Sequence, residues 1–560
     1  MTMDTVSVPR AHAAADAGRA GFGLLLRSEW TKFRTVRGWV IGMFIAALLT
    51  VFVGLFAAGY GSRNCQNSPT GPALSGKACL PYIPYGPGGE VVTDSFNFAH
   101  QPLTGNGSLT VRVLSLSGAH PEFGANGGVP AGGPGPTMTP GLMPWSKAGI
   151  IIKQDTKQGS GYAAMMMTGS NGVRMQYDYT GDIAGLPGGV SAAHPRWLRL
   201  TRAGDTITGY DSADGAHWTK VGTVRLTGLP ATVQVGMFAT SPGYIQSSTS
   251  FGGSHFQGAP SQATGVFGDV TASGTPAGGT WAATAVGGGG PMTGPAGPGG
   301  QAGPGAGPGA GSGAAGFTHA GGTFTVTGSG DIAPTVPGPA SSYPTATIEQ
   351  ALAGAFIGLI AIVVVAAMFF TAEYRRGLIR TTLAATPRRG QVLAAKAIVA
   401  AAAAFTVGLV ASAVAIAIGV PLERNNGSVV LPVSALTEVR VVVGTAALLA
   451  VAAAFAVGLG AVLRRSAAAI TIAVATVVLP FLLAALNILP SGPAAWLLRI
   501  TPAAGLAIQQ SVPRYHQVTS VYSPAGGYYP LPPFAGLAVL CCWAAAALAL
   551  AYVLLRRRDA

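Results

Sequence analysis

The sequence predicts an α-helical polytopic membrane protein of six transmembrane helices, interrupted by one inserted all-β domain of jelly-roll sandwich type. Three observations carry this reading. Only 9% of the 560 residues are charged while 49% are hydrophobic, a balance too apolar for a soluble chain. Charge-free stretches recur at 38–62, 350–372, 397–422, 441–463 and 466–498, with a last apolar run at 534–555. Each is at least as long as the roughly 20 residues that cross a ~30 Å hydrocarbon core. Between the first two stretches the pattern changes to short alternating segments rich in Val, Thr, Tyr and Trp and broken by Gly turns, the signature of strands.

Taken in order, residues 1–37 are an N-terminal segment ending in an amphipathic interfacial helix, and 38–60 are the first span. The first 20 residues lack an apolar core, so no cleavable signal is expected and the first span serves as a signal anchor. Residues 61–348 follow as one large exported region. Strand-like segments at 108–114, 148–153, 162–168, 173–179, 197–201, 206–211, 219–224 and 232–240, with a hairpin-type Asp214-Gly215 turn, predict a sandwich over about 88–257. One more strand within 317–335 closes it, and the intervening 259–316 is a Gly/Pro-rich low-complexity segment too poor in apolar surface to fold.

The remaining spans are expected at 349–371, 393–420, 438–463, 467–489 and 533–555. Residues 372–392 mix basic and apolar side chains as a short surface helix does. Pro480, Asn487 and Pro490 break the fifth run and mark its end. The loop 491–532 holds apolar pieces too short to cross, and 556–560 is a tail.

The net charge of +14 follows the membrane. Arg27, Lys32, Arg34 and Arg37 fall on one side with Arg375, Arg376, Arg380, Arg388, Arg389 and Lys396, and with Arg464, Arg465 and Arg556 to Arg558. The short loops opposite hold only Arg424, Arg440, Arg499 and Arg514. The positive-inside rule then places a multi-pass protein in the cell membrane with both termini cytoplasmic and the large domain extracellular. For Arg388, Arg389, Arg464, Arg465 and Arg556 to Arg558, topology and anionic lipid in the bilayer are sufficient reasons. No aromatic-interleaved basic patch points to nucleic acid.

Chemistry-bearing motifs are sparse. Cys65 and Cys79 lie just past the first span on the oxidising side, a candidate disulfide, whereas Cys541 and Cys542 are filler in the last span. Gly71-Pro-Ala-Leu-Ser-Gly76-Lys77-Ala78 nearly spells a phosphate-binding loop but lacks its Ser or Thr and its strand-helix flanks. Glu90 and Glu122 are isolated, so the paired carboxylates of a glycosidase are missing. No catalytic residue, no metal site and no cofactor is expected, and the chain is not expected to be an enzyme. Glu349 and Glu373 bracket the second span, Lys396 opens the third, and span interiors read as free of Asp, Glu, Lys, Arg and His argue against an ion-driven carrier. The drive must come from a partner.

Two resemblances sharpen this. Thr371-Ala-Glu373-Tyr374-Arg375-Arg376-Gly377-Leu-Ile-Arg380 resembles the Glu-Tyr-Arg-x-Gly element of ABC-2 type transporter permeases, especially actinobacterial ones. Leu25-Leu-Arg27-Ser28-Glu29-Trp30-Thr31-Lys32-Phe33-Arg34 resembles that family's amphipathic helix before the first span. The resemblance implies an ABC exporter's permease subunit that pairs with a second permease, identical or related, and binds a separate ABC ATP-binding subunit, so that ATP sits on the partner. It assigns Glu373, Tyr374, Arg375, Arg376, Gly377 and Arg380 to ATPase coupling, and implies short re-entrant helices within 491–532.

Separately, Trp145-Ser-Lys-Ala-Gly-Ile-Ile-Ile, Gly161-Tyr-Ala, Pro195-Arg-Trp-Leu-Arg-Leu-Thr-Arg, Tyr210-Asp-Ser-Ala-Asp-Gly and Trp218 resemble concanavalin A-like, LamG-like sandwich modules found beside glycan-active enzymes. That implies Trp145, Trp197, Tyr210 and Trp218 as candidates for stacking on a cell-surface glycan, against the alternative that they are core and turn residues. Two functional classes stay open: an exporter subunit whose outer domain binds or gates the substrate, and a membrane-anchored glycan or peptide sensor on a permease-like scaffold.

Overall fold

The computed structural model describes residues 21–60, 83–121, 138–191, 193–250, 253–275, 280–287, 316–339, 341, 344–375, 377 and 388–557. Cys65, Cys79, Arg376 and Arg380 lie outside the described residues, as does the side chain of Arg375.

Six helices are long and apolar enough to cross a membrane. Helix α1 (Phe22–Thr35) leads through an extended Val36 into α2 (Arg37–Tyr60). After the β domain come α3 (Gly354–Arg375), α4 (Arg389–Asn425), α5 (Ala435–Leu463), α6 (Ser466–Ala485), the short α7 (Ser491–Ile500) and α8 (Pro533–Arg557). Because α2 runs toward the β domain and α3 away from it, the N-terminal ends of α4 and α6 and the C-terminal ends of α3, α5 and α8 share the bundle end opposite the β domain. Lipid offers the backbone no hydrogen bonds, which makes uninterrupted helices the stable form of these runs.

Small residues set the helix spacing. A Cβ on Gly354 would run into the Thr50 carbonyl oxygen, so α2 and α3 meet backbone to backbone, the contact that holds helices together where lipid supplies no hydrophobic drive. Ala366, Ala367, Ala400, Ala404, Ala452, Ala453 and Ala456 fill the bundle core. Pro480 does not break the fifth run: it is buried inside α6, and the helix continues to Ala485. One lost ladder bond is tolerated where neighbouring helices enclose the site. The stop falls instead at Asn487, which adopts a left-handed conformation (φ 52°). Beyond α7, the turn Pro502–Gln509 is buried throughout and packs against α5 and α8.

The β domain is an antiparallel sandwich organised by one long strand. Strands β1 (Val92–Asp94), β2 (Phe96–Pro121), β3 (Met138–Pro140), β4 (Lys147–Lys153), β5 (Tyr162–Thr168), β6 (Val173–Tyr177) and β7 (Gly181–Ala184) come first. Then follow β8 (Arg196–Ala203), β9 (Thr206–Ser212), β10 (Thr219–Arg225), β11 (Thr232–Thr240), β12 (Tyr244–Ser250), β13 (Gly253–Ala259), β14 (Gln262–Thr275) and β15 (Ala282–Val286). The chain leaves through β16 (Phe317–Ala320), β17 (Thr323–Gly328) and β18 (Ile332–Pro334). The main path is β10-β9-β8-β2-β11-β4-β5-β6-β7. The first part of β2 pairs with β11 and the second part with β8, and Gly105 (φ 72°) lies between them. Asn106-Gly-Ser is therefore a bend inside a continuous strand rather than a free turn, and the Asn106 side chain accepts from the Gly204 amide.

Leu109, Val111, Val113, Leu198, Leu200 and Ile207 face Ile150, Ile152, Met165, Met167 and Met237 across the sandwich core. The layer containing β4 and β5 is also buried on its other face, under a second cluster of Phe96, Phe98, Ile151, Tyr162, Tyr179, Phe238 and Ile332. Double burial explains why β4 reads Ala-Gly-Ile-Ile-Ile without alternation.

The expected low-complexity segment needs correction. Its beginning is β14, which pairs with β2 on one side and β17 on the other, and β15 pairs with β2 as well. The composition is Gly- and Ala-rich, yet Phe267 is fully buried and Gly265 is small because Ala148 and Phe267 crowd it. Small residues here mark close packing, which a composition window cannot distinguish from disorder.

Candidate functional site

At the bundle end opposite the β domain, four charged side chains from three helices converge. Lys396 of α4 is fully buried, and its Nζ donates to Glu29 Oε2 of α1 at 2.7 Å and to Glu373 Oε1 of α3 at 2.6 Å. Lys32 of α1 donates to Glu29 Oε1 at 2.6 Å and lies 3.6 Å from Glu373 Oε1. Two carboxylates and two ammonium groups sum to zero, which is what allows Glu29 and Lys396 to sit at 0% exposure. Burial pushes the Lys32 ammonium down, but the Glu29 and Glu373 carboxylates outweigh it and hold Lys32 above its ordinary value.

Helical geometry puts the α1 contribution on one face. In α1, Glu29, Lys32 and Phe33 recur at the three- and four-residue spacing of one helix face. Phe33 meets Phe369 of α3 edge-on at 5.2 Å, and the Lys396 ammonium stands 4.7 Å from the centroid of the same Phe369 ring. The α1 helix is thus held on α3 and α4 by an apolar contact and an ionic one side by side.

Glu373-Tyr374-Arg375-x-Gly377 forms the end of α3 rather than the start of a surface helix. Gly377 has φ 69° and its amide donates to the Tyr374 carbonyl, the left-handed stop that glycine provides after a helix. The Glu373 carboxylate points inward, toward Lys396. Tyr374 packs on Phe370 and receives the Arg464 guanidinium 5.2 Å from its ring centroid. Residues 378–387 lie outside the described residues, so the expected coupling helix does too. The sequence pattern names Glu373 as a coupling residue and Lys396 as the opening of a span, and it does not expect an ion pair between them. The signal available was a single Lys within an Ala-rich run that carries no other charge until Glu423.

At the other end, the β domain is fastened to the bundle. Lys153 Nζ donates to Asp94 Oδ2 at 2.8 Å, to the Ser160 carbonyl and to the Tyr179 hydroxyl. Lys147 Nζ donates to Asp331 Oδ1 at 2.5 Å and to the Ile332 carbonyl. Both lysines are fully buried, one at each end of β4. Their partners mark where the chain enters and leaves the sandwich, since β1 and β18 pair with each other. From the loop before α8, Gln517 donates to the Tyr179 and Thr180 carbonyls and Ser520 to the Pro337 carbonyl. Val91, Val429, Leu431, Val512 and Tyr528 pack together beneath the domain. A short parallel pair joins β19 (Thr345–Ala346) to β20 (Val429–Val430).

Three of the four aromatic candidates share the outward face of the β10-β9-β8-β2 layer. Arg112 opposes Trp197, Arg199 opposes Tyr210, and Tyr210 opposes Lys220. The Arg199 guanidinium lies 3.8 Å from the Trp218 ring centroid, Arg112 lies over Trp197, and Gly215 packs against the other parts of that indole. Trp145 is apart from them, buried, with Arg174 over its ring.

Six membrane-length helices around one apolar core make this a multi-pass membrane protein. Residues 314–560 match the family model described as ABC-2 family transporter protein, which supports a transport permease domain over this part of the chain. No curated protein matches the chain. Solved structures share only remote similarity. A functionally unknown protein from Saccharomyces cerevisiae is 14% identical over 35% of this chain and 84% of its own, with a TM-score of 0.21. A GH43 protein from Bacillus licheniformis is 15% identical over 24% of each chain, with a TM-score of 0.16. Scytalido-glutamic peptidase with a transition state analog inhibitor is 9% identical over 42% of this chain and 98% of its own, with a TM-score of 0.21. Likenesses this remote carry no argument about the β domain's chemistry.

Proposed function

We propose that the chain is the permease subunit of an ATP-driven exporter, working as a pair with a second permease and driven by a separate ATP-binding subunit. Both termini are cytoplasmic in this reading, and the β domain is extracellular. The observation that carries it, beside the family match, is the bracket around residues 376–388. Glu373 stands in the last turn of the helix before that segment and Lys396 in the second turn of the helix after it, and the two side chains bond each other. A push on the segment between them reaches both helices at once and, through Glu29, reaches α1.

The β domain supports gating or shielding of the exit more than glycan capture. Its inner layer is covered by its own entry and exit strands, and the indoles nominated for sugar stacking already have guanidinium groups over their rings.

The test is co-purification from native membranes in mild detergent, comparing the wild type with Arg376→Glu/Arg380→Glu. The expected result is an ATPase that accompanies the wild type and is lost from the variant while its unfolding temperature is unchanged. If no ATPase accompanies either protein, the exporter reading fails, and the membrane-anchored sensor takes its place.

A further inference from the structure

The end of the bundle opposite the β domain has an unbalanced charge. Among the described residues its carboxylates are Glu29 and Glu373, and both are already neutralised by Lys32 and Lys396. Arg388, Arg464, Arg465, Arg556 and Arg557 therefore stand at that end with no described carboxylate in ion-pair reach. Topology alone would scatter such charges around the rim. Two of them, Arg388 and Arg556, instead line one recess.

That recess is a cavity of about 560 Å³ between the start of α4 and the end of α8, lined by Arg388, Arg389, Gly390, Gln391, Tyr552 and Arg556. Its walls are built rather than incidental. Arg389 donates to the Leu555 carbonyl, which ties the first turn of α4 to the last turn of α8. The Tyr552 ring closes on Gly390, where a Cβ would lie 2.5 Å from the ring, so the two helices approach here only because position 390 has no side chain. The Arg556 guanidinium is placed 5.2 Å from the Tyr552 ring centroid. Arg388 and Arg556 are exposed and make no ion pair among the described residues. Apolar surface adjoins the recess on α8, where Leu550 and Val553 are exposed.

We propose that this recess binds the phosphate headgroup of an anionic phospholipid, with Arg388 and Arg556 as the main cationic contacts and the acyl chains lying along Leu550 and Val553. Guanidinium groups suit phosphate because their planar forks donate paired hydrogen bonds. Basic recesses between helices at the cytoplasmic membrane surface are the usual seat of such headgroups. The adjoining apolar strip selects a lipid over a soluble anion, since a free phosphate gains nothing from it. The site also adjoins the first turn of α4, seven residues before Lys396. A bound lipid would therefore brace the same helix that carries the ionic cluster.

The test uses the full chain in nanodiscs containing phosphatidylcholine doped with phosphatidylglycerol, extracted gently and weighed by native mass spectrometry. The expected result is retention of phosphatidylglycerol over phosphatidylcholine by the wild type. Arg388→Gln/Arg556→Gln should weaken that retention roughly thirtyfold, taking about fivefold per cationic contact, while Arg388→Lys/Arg556→Lys should keep part of it. Equal retention of the two lipids, or equal retention of phosphatidylglycerol by wild type and Gln variant, would overturn the site. Displacement of the lipid by millimolar glycerol phosphate would overturn the lipid as its occupant. No ATPase partner enters this measurement, so it fails or succeeds independently of the transport reading.

Discussion

At the scale of single residues, Lys396 is the group on which most depends. It is fully buried and serves two carboxylates on two other helices. Replacing it by Met strands Glu29 and Glu373 with only the half-exposed Lys32 between them, and an uncompensated buried charge costs about 3–5 kcal/mol. Lys396→Met should therefore lower the unfolding temperature of the detergent-solubilised protein strongly. Lys396→Met with Glu29→Gln and Glu373→Gln should recover most of the loss, because neutral partners need no ammonium. A triple variant as unstable as the single one would mean that packing around Phe369, and not charge, is what Lys396 supplies. The pair was hard to read in the sequence because Lys396 lies 367 positions from Glu29; only the fold makes them neighbours.

Asp211 makes the opposite case, a buried carboxylate without a cation bonded to it. It lies on β9 at 0% exposure, accepts the Leu186 amide at 3.0 Å through one oxygen, and leaves the other without a partner. Burial raises its pKa, with the Leu186 amide and the Arg196 charge working against the rise. A folded value above the unfolded one means that the fold holds the proton more tightly. The stabilisation is complete below the ordinary carboxylate range and is lost as pH climbs through the raised value. Asp211→Asn keeps an acceptor for Leu186 and removes the charge. By removing a buried charge it should raise β-domain stability at pH 7.5, and by less at pH 4, where the wild-type carboxyl is already closer to neutral. An equal effect at both values would show that titration of Asp211 is not the cause. Glu90 and Asp178 are raised by burial as well, so each contributes stability in mild acid that is lost toward neutral pH, while His100, held below its ordinary value by burial, works the other way.

At the scale of elements, legibility followed periodicity. The membrane helices were readable because a charge-free run of that length has few other fates, and β8 and β9 were readable because Leu198, Leu200 and Ile207 alternate with outward polar residues. The long β2 was read only in its second part, from position 108, since Thr104-Gly-Asn-Gly looks like a terminating turn and the pairing partners that keep it extended come from β11 and β14. The same non-local pairing rescued β14 from its composition. In the candidate site, α1 and the Glu373 motif were visible as patterns. Which way Glu373 faces was not, because α3 runs past the expected end of its span and turns that side chain toward α4.

At the scale of the whole molecule, the question is whether the β domain swings freely on its connections or moves with the helices beneath it. A free domain would meet the bundle only through its two chain crossings. Here the first and last strands of the sandwich are each held to β4 by a buried Lys–Asp pair, Lys153–Asp94 and Lys147–Asp331. Gln517 and Ser520 add a third connection from the loop before α8, and Val91, Leu431, Val512 and Tyr528 form an apolar seat between them. Interfaces of this kind have two discrete arrangements or one, not a continuum. The domain should therefore follow the outer ends of α3, α4 and α8 as one body. Spin labels on exposed Lys220 of β10 and exposed Leu436 at the start of α5, in a background with Cys65, Cys79, Cys541 and Cys542 replaced, should give one narrow distance distribution by pulsed dipolar spectroscopy. Gln517→Ala/Ser520→Ala removes the third connection without touching the buried pairs and should broaden it. A broad distribution in the wild type would show a domain tethered but not seated, and gating by rigid motion of the cap would then be replaced by a passive shield over the exit.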